Sequence, residues 1–182
     1  MQKEIIIAGF GGQGVLFAGQ VLAYAAMDAG REVTWIPSYG PEMRGGTANC
    51  TVIVADDEIG SPLVKNPLLA VALNLPSFDK YEATLAPGGT LIVNQSMVDR
   101  GAKRADINVI LVPCNEIAEE IGDKKLMNMV AIGALLTALP EVTIRDVEKA
   151  LEGHLPARHK HLLPQNYQAL QRGFEAAQKV PA

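Results

Sequence analysis

A short apolar run leading directly into a glycine-rich turn is the feature that most limits how this chain can fold. Ile5-Ile6-Ile7-Ala8 is fully apolar and mostly β-branched, which is typical of a strand buried on both faces of a parallel sheet. Gly9-Phe10-Gly11-Gly12-Gln13-Gly14 follows at once, and apolar residues then recur at helical spacing over residues 15–29. A strand, a glycine turn and a helix in this order predict the first crossover of an α/β domain.

The rest of the chain continues the alternation of strands and helices. Further strands are predicted over residues 32–37, 50–55, 68–73, 91–94 and 109–112. Further helices are predicted over residues 76–85, 116–121, 128–139, 143–152 and 165–179. We therefore expect a single domain over residues 1–182, of the α/β class. It would be doubly wound, Rossmann-like and three-layered, with a mostly parallel sheet and a helical C-terminal portion. The first two strands and the helix between them are expected to form one right-handed βαβ unit.

The charge balance and the cysteine content exclude several classes of function. A net charge of −4 argues against a nucleic-acid partner, because phosphate backbones are bound by clustered Lys and Arg. The longest nearly apolar stretch, residues 129–139, is shorter than the roughly 20 residues of a membrane span, so we expect a cytoplasmic protein without a membrane partner. Cys50 and Cys114 lie far apart, which predicts neither a disulfide framework nor a zinc site.

The glycine turn is the first candidate binding site. Small residues let backbone amides approach an anion closely, and a helix N-terminus adds partial positive charge. The candidate residues are Gly9, Gly11, Gly12, Gln13 and Gly14. The alternative is that these glycines only permit a tight turn and close packing. A nicotinamide dinucleotide is disfavoured, because the second strand ends in Ile36-Pro37-Ser38-Tyr39 without the acidic residue that holds the ribose.

The loop that follows the second strand is the other half of the candidate site. It begins at the carboxyl end of that strand, where ligands of open α/β sheets bind. Arg44 offers a planar fork suited to a phosphate or a carboxylate, and the two glycines after it leave it unobstructed. The alternative is an ordinary surface loop with a solvated arginine. The candidate residues here are Ser38, Tyr39, Glu42, Met43, Arg44, Gly45 and Gly46.

Other polar and sulfur-containing residues are interpreted as structural. His154, His159 and His161 lack a third ligand type in a recognisable pattern, so the basic segment around them reads as a solvated face or a rim of partner contacts. Cys50 is predicted to be a small core residue. Asn128 is predicted to be the N-cap of the apolar helix that follows it.

The two motifs together resemble a known family. Gly9-Phe10-Gly11-Gly12-Gln13-Gly14-Val15, followed by Ser38-Tyr39-Gly40-Pro41-Glu42-Met43-Arg44-Gly45-Gly46, is similar to the gamma subunit of 2-oxoacid:ferredoxin oxidoreductases. Asn128-Met129-Val130 with Gly133-Ala134-Leu135 resembles the apolar helix of that family. The form of the loop is closer to the 2-oxoglutarate and branched-chain types than to the pyruvate type. The resemblance covers nearly the whole chain.

The resemblance implies a reaction and a division of labour. A 2-oxoacid is decarboxylated on thiamine diphosphate, the acyl group passes to coenzyme A as co-substrate, and electrons go through iron–sulfur clusters to ferredoxin. Alpha and beta subunits, with a ferredoxin-like delta subunit, would be the partners and would hold the thiamine diphosphate, the magnesium ion and the clusters. This chain would be a non-catalytic subunit, inactive alone, that contributes partner surface and coenzyme A contacts.

The residues themselves agree with that division. Iron–sulfur clusters need about four thiolates, and the chain has two cysteines. Gly122-Asp123-Lys124 departs from the Gly-Asp-Gly motif of thiamine-binding folds, and no pair of asparagines follows it. Two alternatives remain open at this point: a stand-alone nucleotide-binding α/β protein, and a regulatory interaction module.

Overall fold

A computed structural model describes residues 1–39 and 46–179 of the chain. In this part of the chain the strands are β1 (Gln2–Phe10), β2 (Glu32–Tyr39), β3 (Thr47–Ala55), β4 (Leu69–Ala72), β5 (Thr90–Asn94) and β6 (Asn108–Val112). The helices are α1 (Val15–Asp28), α2 (Leu75–Thr84), α3 (Cys114–Ile121), α4 (Met127–Leu135), α5 (Ile144–His154) and α6 (Leu163–Gln178). Each of these elements had been expected from the sequence within a few residues of its observed ends.

The strands form one sheet in the order β2-β3-β1-β4-β5-β6. Pairing is parallel from β1 through β4 and β5 to β6, and antiparallel where β3 lies between β1 and β2. The mostly parallel α/β fold is therefore confirmed. As expected, β1 and β2 are joined through α1 and run in the same direction, but they are not neighbours, because β3 occupies the place between them.

Side chains alternate between two apolar layers on opposite faces of the sheet. In β1, Ile5 and Ile7 face the layer that holds α1, α4, α5 and α6, whereas Ile6 and Ala8 face the layer that holds α2. The first layer is much the larger of the two. Both faces of the central strands are thus covered, which explains why β1 and β4 are apolar throughout.

The C-terminal helical portion is held by a close crossing of α4 and α6. A Cβ atom on Gly133 would collide with the carbonyl oxygen of Leu170, and one on Gly173 would collide with the carbonyl oxygen of Val130. Backbones can approach this closely only where no side chain intervenes. Helix α5 begins with the capping box of Thr143 and Asp146 that the sequence predicts. None of the helices within the described ranges is long and apolar enough to cross a bilayer.

Candidate glycine-turn site

The glycine turn lies at the carboxyl edge of the parallel strands. It follows β1 directly, and the residues that follow β4, β5 and β6 reach the same edge. Gly12 has φ 100° and Gly14 has φ 73°, so both require the left-handed region that L side chains rarely adopt. Gly14 is the N-cap of α1 and no side chain caps this helix. The amides of its first turn therefore face the edge of the sheet without a side-chain acceptor among the described residues.

The side chain of Gln13 links the end of β1 to the residues that follow β4. Its Oε1 atom accepts hydrogen bonds from the Phe10 amide at 2.6 Å and from Asn74 Nδ2 at 3.3 Å. Its Nε2 atom donates to the carbonyl oxygen of Leu73 at 3.3 Å. A Cβ atom on Gly9 would press against Gln13, so the glycine leaves the room that this side chain fills. The side-chain oxygen and nitrogen of Gln13 are thus both used in hydrogen bonds within the chain. The role of Gly9 is to leave room for this side chain.

A chain of asparagine amides continues along the same edge. Asn94 donates through Nδ2 to Asn115 Oδ1 at 3.0 Å and to the carbonyl oxygen of Leu73 at 3.4 Å. Its Oδ1 atom accepts from the Cys114 amide at 3.2 Å. Asn94 and Asn74 are both almost completely buried. These bonds fix the ends of β4 and β5 against the start of α3, which gives the site a rigid floor.

Asn128 does not cap α4 as the sequence predicted. The helix begins one residue earlier, at Met127, and Asn128 is buried within it. Its Nδ2 atom donates to the carbonyl oxygen of Gly14 at 3.2 Å, and its Oδ1 atom accepts from the Met129 amide at 2.8 Å. A buried amide needs partners, and Gly14 lies close enough to supply one. Asn128 thereby ties α4 to the start of α1.

A concavity of about 230 Å³ opens beside the turn, between Gly12, Gln13 and the segment that leads into α4. Lys124 and Lys125 line it together with Asn115 and Met127. Lys124 also pairs with Glu119 at 3.0 Å, whereas no ion pair of Lys125 is found in the described part of the chain. Sequence reasoning missed both lysines, although a Lys-Lys pair directly before the apolar helix was visible. The arrangement places two cations beside a helix N-terminus, which suits an anion.

The second predicted motif reaches the glycine turn at one described point. The Gly11 amide donates to the carbonyl oxygen of Gly46 at 2.9 Å. Ser38 pairs with Asn49, so β2 ends at the same edge of the sheet, two strands away from β1. Gly11, Gly12, Gly14 and Gly46 are therefore brought together. Tyr39 is the last residue of β2, and the remaining predicted residues lie outside the described residues: Glu42, Met43, Arg44 and Gly45.

The two cysteines are core residues. Cys50 is fully buried in β3, and burial raises the pKa of its thiol to about 12. Cys114 is fully buried at the start of α3, where burial, together with the nearby Glu116 charge, raises the pKa of its thiol. These two thiols do not fit an iron–sulfur cluster, which needs about four thiolates. Within residues 1–39 and 46–179, no three His, Cys, Asp or Glu side chains are grouped to hold a metal ion.

Known proteins are similar to this chain along its whole length. The 2-oxoglutarate synthase subunit KorC of Methanothermobacter marburgensis is 39% identical over 182 residues, which cover 96% of each chain. The ketoisovalerate oxidoreductase subunit VorA of Methanothermobacter thermautotrophicus is 38% identical over 98% of this chain. This chain spans 31% and 37% of the length of the two VorA relatives that it matches.

A solved structure agrees with these relatives. The gamma subunit of a keto/oxoacid ferredoxin oxidoreductase from Geobacter sulfurreducens superimposes with a TM-score of 0.85 at 29% identity, covering 98% of this chain and 97% of that one. The family model described as pyruvate ferredoxin/flavodoxin oxidoreductase matches residues 4–176. This chain belongs to the pyruvate ferredoxin/flavodoxin oxidoreductase family, as a unit of the gamma-subunit type.

Proposed function

We propose that this chain is the gamma subunit of a thiamine diphosphate-dependent 2-oxoacid:ferredoxin oxidoreductase, and that its glycine turn receives a phosphate group of coenzyme A. The observation that carries the second part is the concavity in which Lys124 and Lys125 lie beside Gly12. In the proposed reaction, a 2-oxoacid, coenzyme A and oxidised ferredoxin give an acyl-coenzyme A, carbon dioxide and reduced ferredoxin. Relatives named for 2-oxoglutarate and for ketoisovalerate both match, and the form of the loop is closer to these two types than to the pyruvate type. We lean towards 2-oxoglutarate as the substrate.

The charges at the turn support an anionic group. The chain carries a net charge of −4, so two lysines side by side in the lining of one concavity are a distinct feature. Lys124 is partly neutralised by Glu119, which leaves Lys125 as the stronger contributor. The N-terminus of α1 adds about half a positive charge. Arg44 is proposed for the same site on its position in the sequence, two residues before Gly46, which is bonded to Gly11.

The remaining chemistry is assigned to partner subunits. Thiamine diphosphate would supply the carbanion chemistry of decarboxylation, and it would be held with magnesium and the iron–sulfur clusters in alpha, beta and delta subunits. This chain would orient coenzyme A and present surface to its partners. Ferredoxin would take the electrons from the assembly. We therefore expect the isolated chain to be inactive.

The position of Glu32 argues against the alternative that the chain is a stand-alone dinucleotide-binding protein. Glu32 pairs with Ala55, which in turn pairs with Gln2 at the beginning of β1, whereas the glycine turn follows Phe10 at its end. Eight residues of strand, roughly 25 Å at 3.3 Å per residue, separate the two edges of the sheet. Glu32 is therefore too far from the turn to hold a ribose there. Titration of the isolated chain with NAD, NADP and FAD tests this alternative, and saturable micromolar binding would revive it.

The experiment for the proposed site uses the reconstituted assembly. Ferredoxin reduction is measured with 2-oxoglutarate and with branched-chain 2-oxoacids while coenzyme A is varied. Lys125→Gln is expected to raise the KM for coenzyme A about tenfold with little change in kcat, since a charged phosphate contact is worth on the order of 1.4 kcal/mol. The increase should shrink at high ionic strength. Lys65→Gln is the matched control, because Lys65 is exposed in a loop distant in sequence from the turn.

Two results would contradict the proposal at different levels. An unchanged KM for coenzyme A in Lys125→Gln, with normal turnover, would remove the lysine from the site and leave the subunit assignment intact. An assembly that reduces no ferredoxin with any 2-oxoacid would remove the reaction itself. Arg44→Ala separates a site from an interface: a loss of turnover with the complex intact indicates a site, and a loss of assembly indicates an interface.

A further inference from the structure

Helix α1 carries an uncharged outer face. Its sequence from Val15 to Met27 contains no charged residue, and Asp28 is its last position. The helix is nevertheless not enclosed, because Phe17 is 37% exposed and Met27 is 49% exposed. A helix that is apolar on all sides is normally buried on all sides. The outer face of α1 is therefore typical of a helix that another element covers.

The outward residues of α1 form a continuous stripe. Phe17, Gln20, Tyr24 and Met27 follow one another at intervals of three, four and three residues, which places them on one face of the helix. This is also the spacing by which paired helices bury a common seam. We call these four residues the α1 stripe.

A groove runs along each side of the α1 stripe. One, of about 400 Å³, lies between α1 and the segment from the end of α5 to His159, and its apolar walls include Val21, Leu151 and Leu155. The other, of about 220 Å³, lies between α1 and β2, and Val33 and Trp35 line it. Gln20 and Tyr24 line both grooves. The stripe and its grooves together form one concave, mainly apolar surface large enough to receive side chains from two sides of a helix.

The larger groove has an arginine at its rim. Arg158 and His159 line it, and Arg158 Nε donates to His159 Nε2 at 3.1 Å. Among the described residues no carboxylate forms an ion pair with Arg158. Next to them, the ring of His154 stacks on Tyr24 at 3.8 Å, and its Nε2 atom lies 3.1 Å from Asp28 Oδ2. The surface thus offers one guanidinium group, that of Arg158, for a carboxylate from outside.

We propose that this surface binds an amphipathic helix of a partner subunit, with apolar side chains in the two grooves and an Asp or Glu against Arg158. The proposal rests on the proposed assembly and concerns a surface separate from the glycine-turn site. A second copy of this chain fits less well. The one carboxylate of its own α1, Asp28, is already paired with His154, so a second α1 packed in these grooves would bring no unpaired carboxylate of its own to Arg158.

Binding of the chain to its purified partner subunits tests the proposal. Met27→Glu and Arg158→Glu are expected to weaken that binding about tenfold or more each, since both remove complementary contacts at the surface. Leu63→Glu is the matched control for the first variant, because Leu63 is 83% exposed in a loop. Lys125→Gln should bind the partners as tightly as the unmodified chain. Thermal unfolding of each free variant separates lost binding from lost folding.

Hydrogen exchange gives a second readout that does not depend on a variant. Assembly is expected to slow amide exchange in α1 and in residues 155–159, and to leave α2 on the other face of the sheet unchanged. Wild-type binding by both Met27→Glu and Arg158→Glu, or an α1 that exchanges equally in the free and assembled chain, would overturn the proposal. So would an isolated chain that is a dimer and becomes monomeric on Met27→Glu. A complex that assembles normally but shows no turnover would remove the proposed function and leave this surface standing.

Discussion

The side-chain amide of Asn128 lies where a Cβ atom on residue 14 would stand, and it donates to the carbonyl oxygen of Gly14 at 3.2 Å. The two residues are 114 positions apart in the chain. One hydrogen bond therefore joins the start of α1 to α4 and fixes the turn that carries the proposed site. Because φ of Gly14 is 73°, the position excludes a larger residue for two independent reasons.

Gly14→Ala should destabilise the fold by about 2–3 kcal/mol, from the left-handed backbone and from the collision with Asn128. Gly12→Ala is the control. Gly12 also has a positive φ, but a Cβ atom there would meet open space, so only the backbone cost of about 1–2 kcal/mol remains. Urea unfolding measures both variants. Combining Gly14→Ala with Asn128→Ala should recover part of the loss, and equal losses in the two glycine variants would contradict the packing argument.

Gln13→Leu should cost about 2 kcal/mol in the free energy of unfolding. The substitution leaves the buried groups that Gln13 satisfies, above all the Phe10 amide, without their partner. Gln171→Leu, at an exposed glutamine of α6 that donates to Glu175, should change stability by no more than about 0.5 kcal/mol. Chemical denaturation compares the two. A Gln13 variant as stable as the Gln171 variant would show that other contacts hold the end of β1 to the residues that follow β4.

Glu82→Gln should make the stability of the protein less dependent on pH. Glu82 is 4% exposed. Burial alone would raise the pKa of Glu82, but hydrogen bonds from Arg100 and from the amides of Lys103 and Arg104 outweigh it and lower that pKa. Because the pKa of Glu82 is lower in the folded protein than in the unfolded chain, the ionised carboxylate stabilises the fold at pH values above the ordinary glutamate pKa. This contribution is lost as the pH falls through the folded-state pKa.

The Glu82 variant should therefore be about 3 kcal/mol less stable at pH 7, and the difference should shrink as the pH is lowered. Unfolding curves at several pH values measure the difference. Asp79→Asn is the control, since Asp79 shares Arg100 but is half exposed, and it should cost less than about 1 kcal/mol. A difference between wild type and Glu82→Gln that stays constant down to pH 3 would argue against the charged network.

Both thiols should be unreactive in the folded protein. Burial withholds them from reagents and raises the pKa of Cys50 to about 12, so little thiolate forms at pH 8. A chromogenic disulfide reagent should label neither cysteine within minutes under native conditions and both at once in denaturant. Rapid native labelling of one thiol would place it at the surface.

The sequence predicted local structure well because each element has its own period and its own end signals. The β-branched run of Ile5-Ile6-Ile7 and the capping box of Thr143 need no distant partner to be recognised. The sequence does not predict the insertion of β3 between β1 and β2, because the apolar pattern of a strand does not determine which strand it pairs with.

The candidate site was predicted in part for the same reason. The spacing of the glycines predicts the turn. The hydrogen bond from the Gly11 amide to the Gly46 carbonyl oxygen joins the turn to the second motif. Lys125 reaches the turn through tertiary packing, which brings together positions more than a hundred residues apart. An asparagine before an apolar run locally predicts an N-cap at Asn128, but the long-range hydrogen bond to Gly14 outweighs that local preference.

The antiparallel insertion of β3 restricts how this chain can change in length. β3 is paired along one side with β1 and along the other with β2, and Cys50, Val52 and Val54 point into the same layer as α1. Removal of a single residue within β3 would turn that whole set to the opposite face and disturb two ladders at once. Insertions and deletions acquired over evolution should therefore be rare within β1, β2 and β3 and should accumulate in connections that carry no part of the proposed site, such as residues 56–68 between β3 and β4.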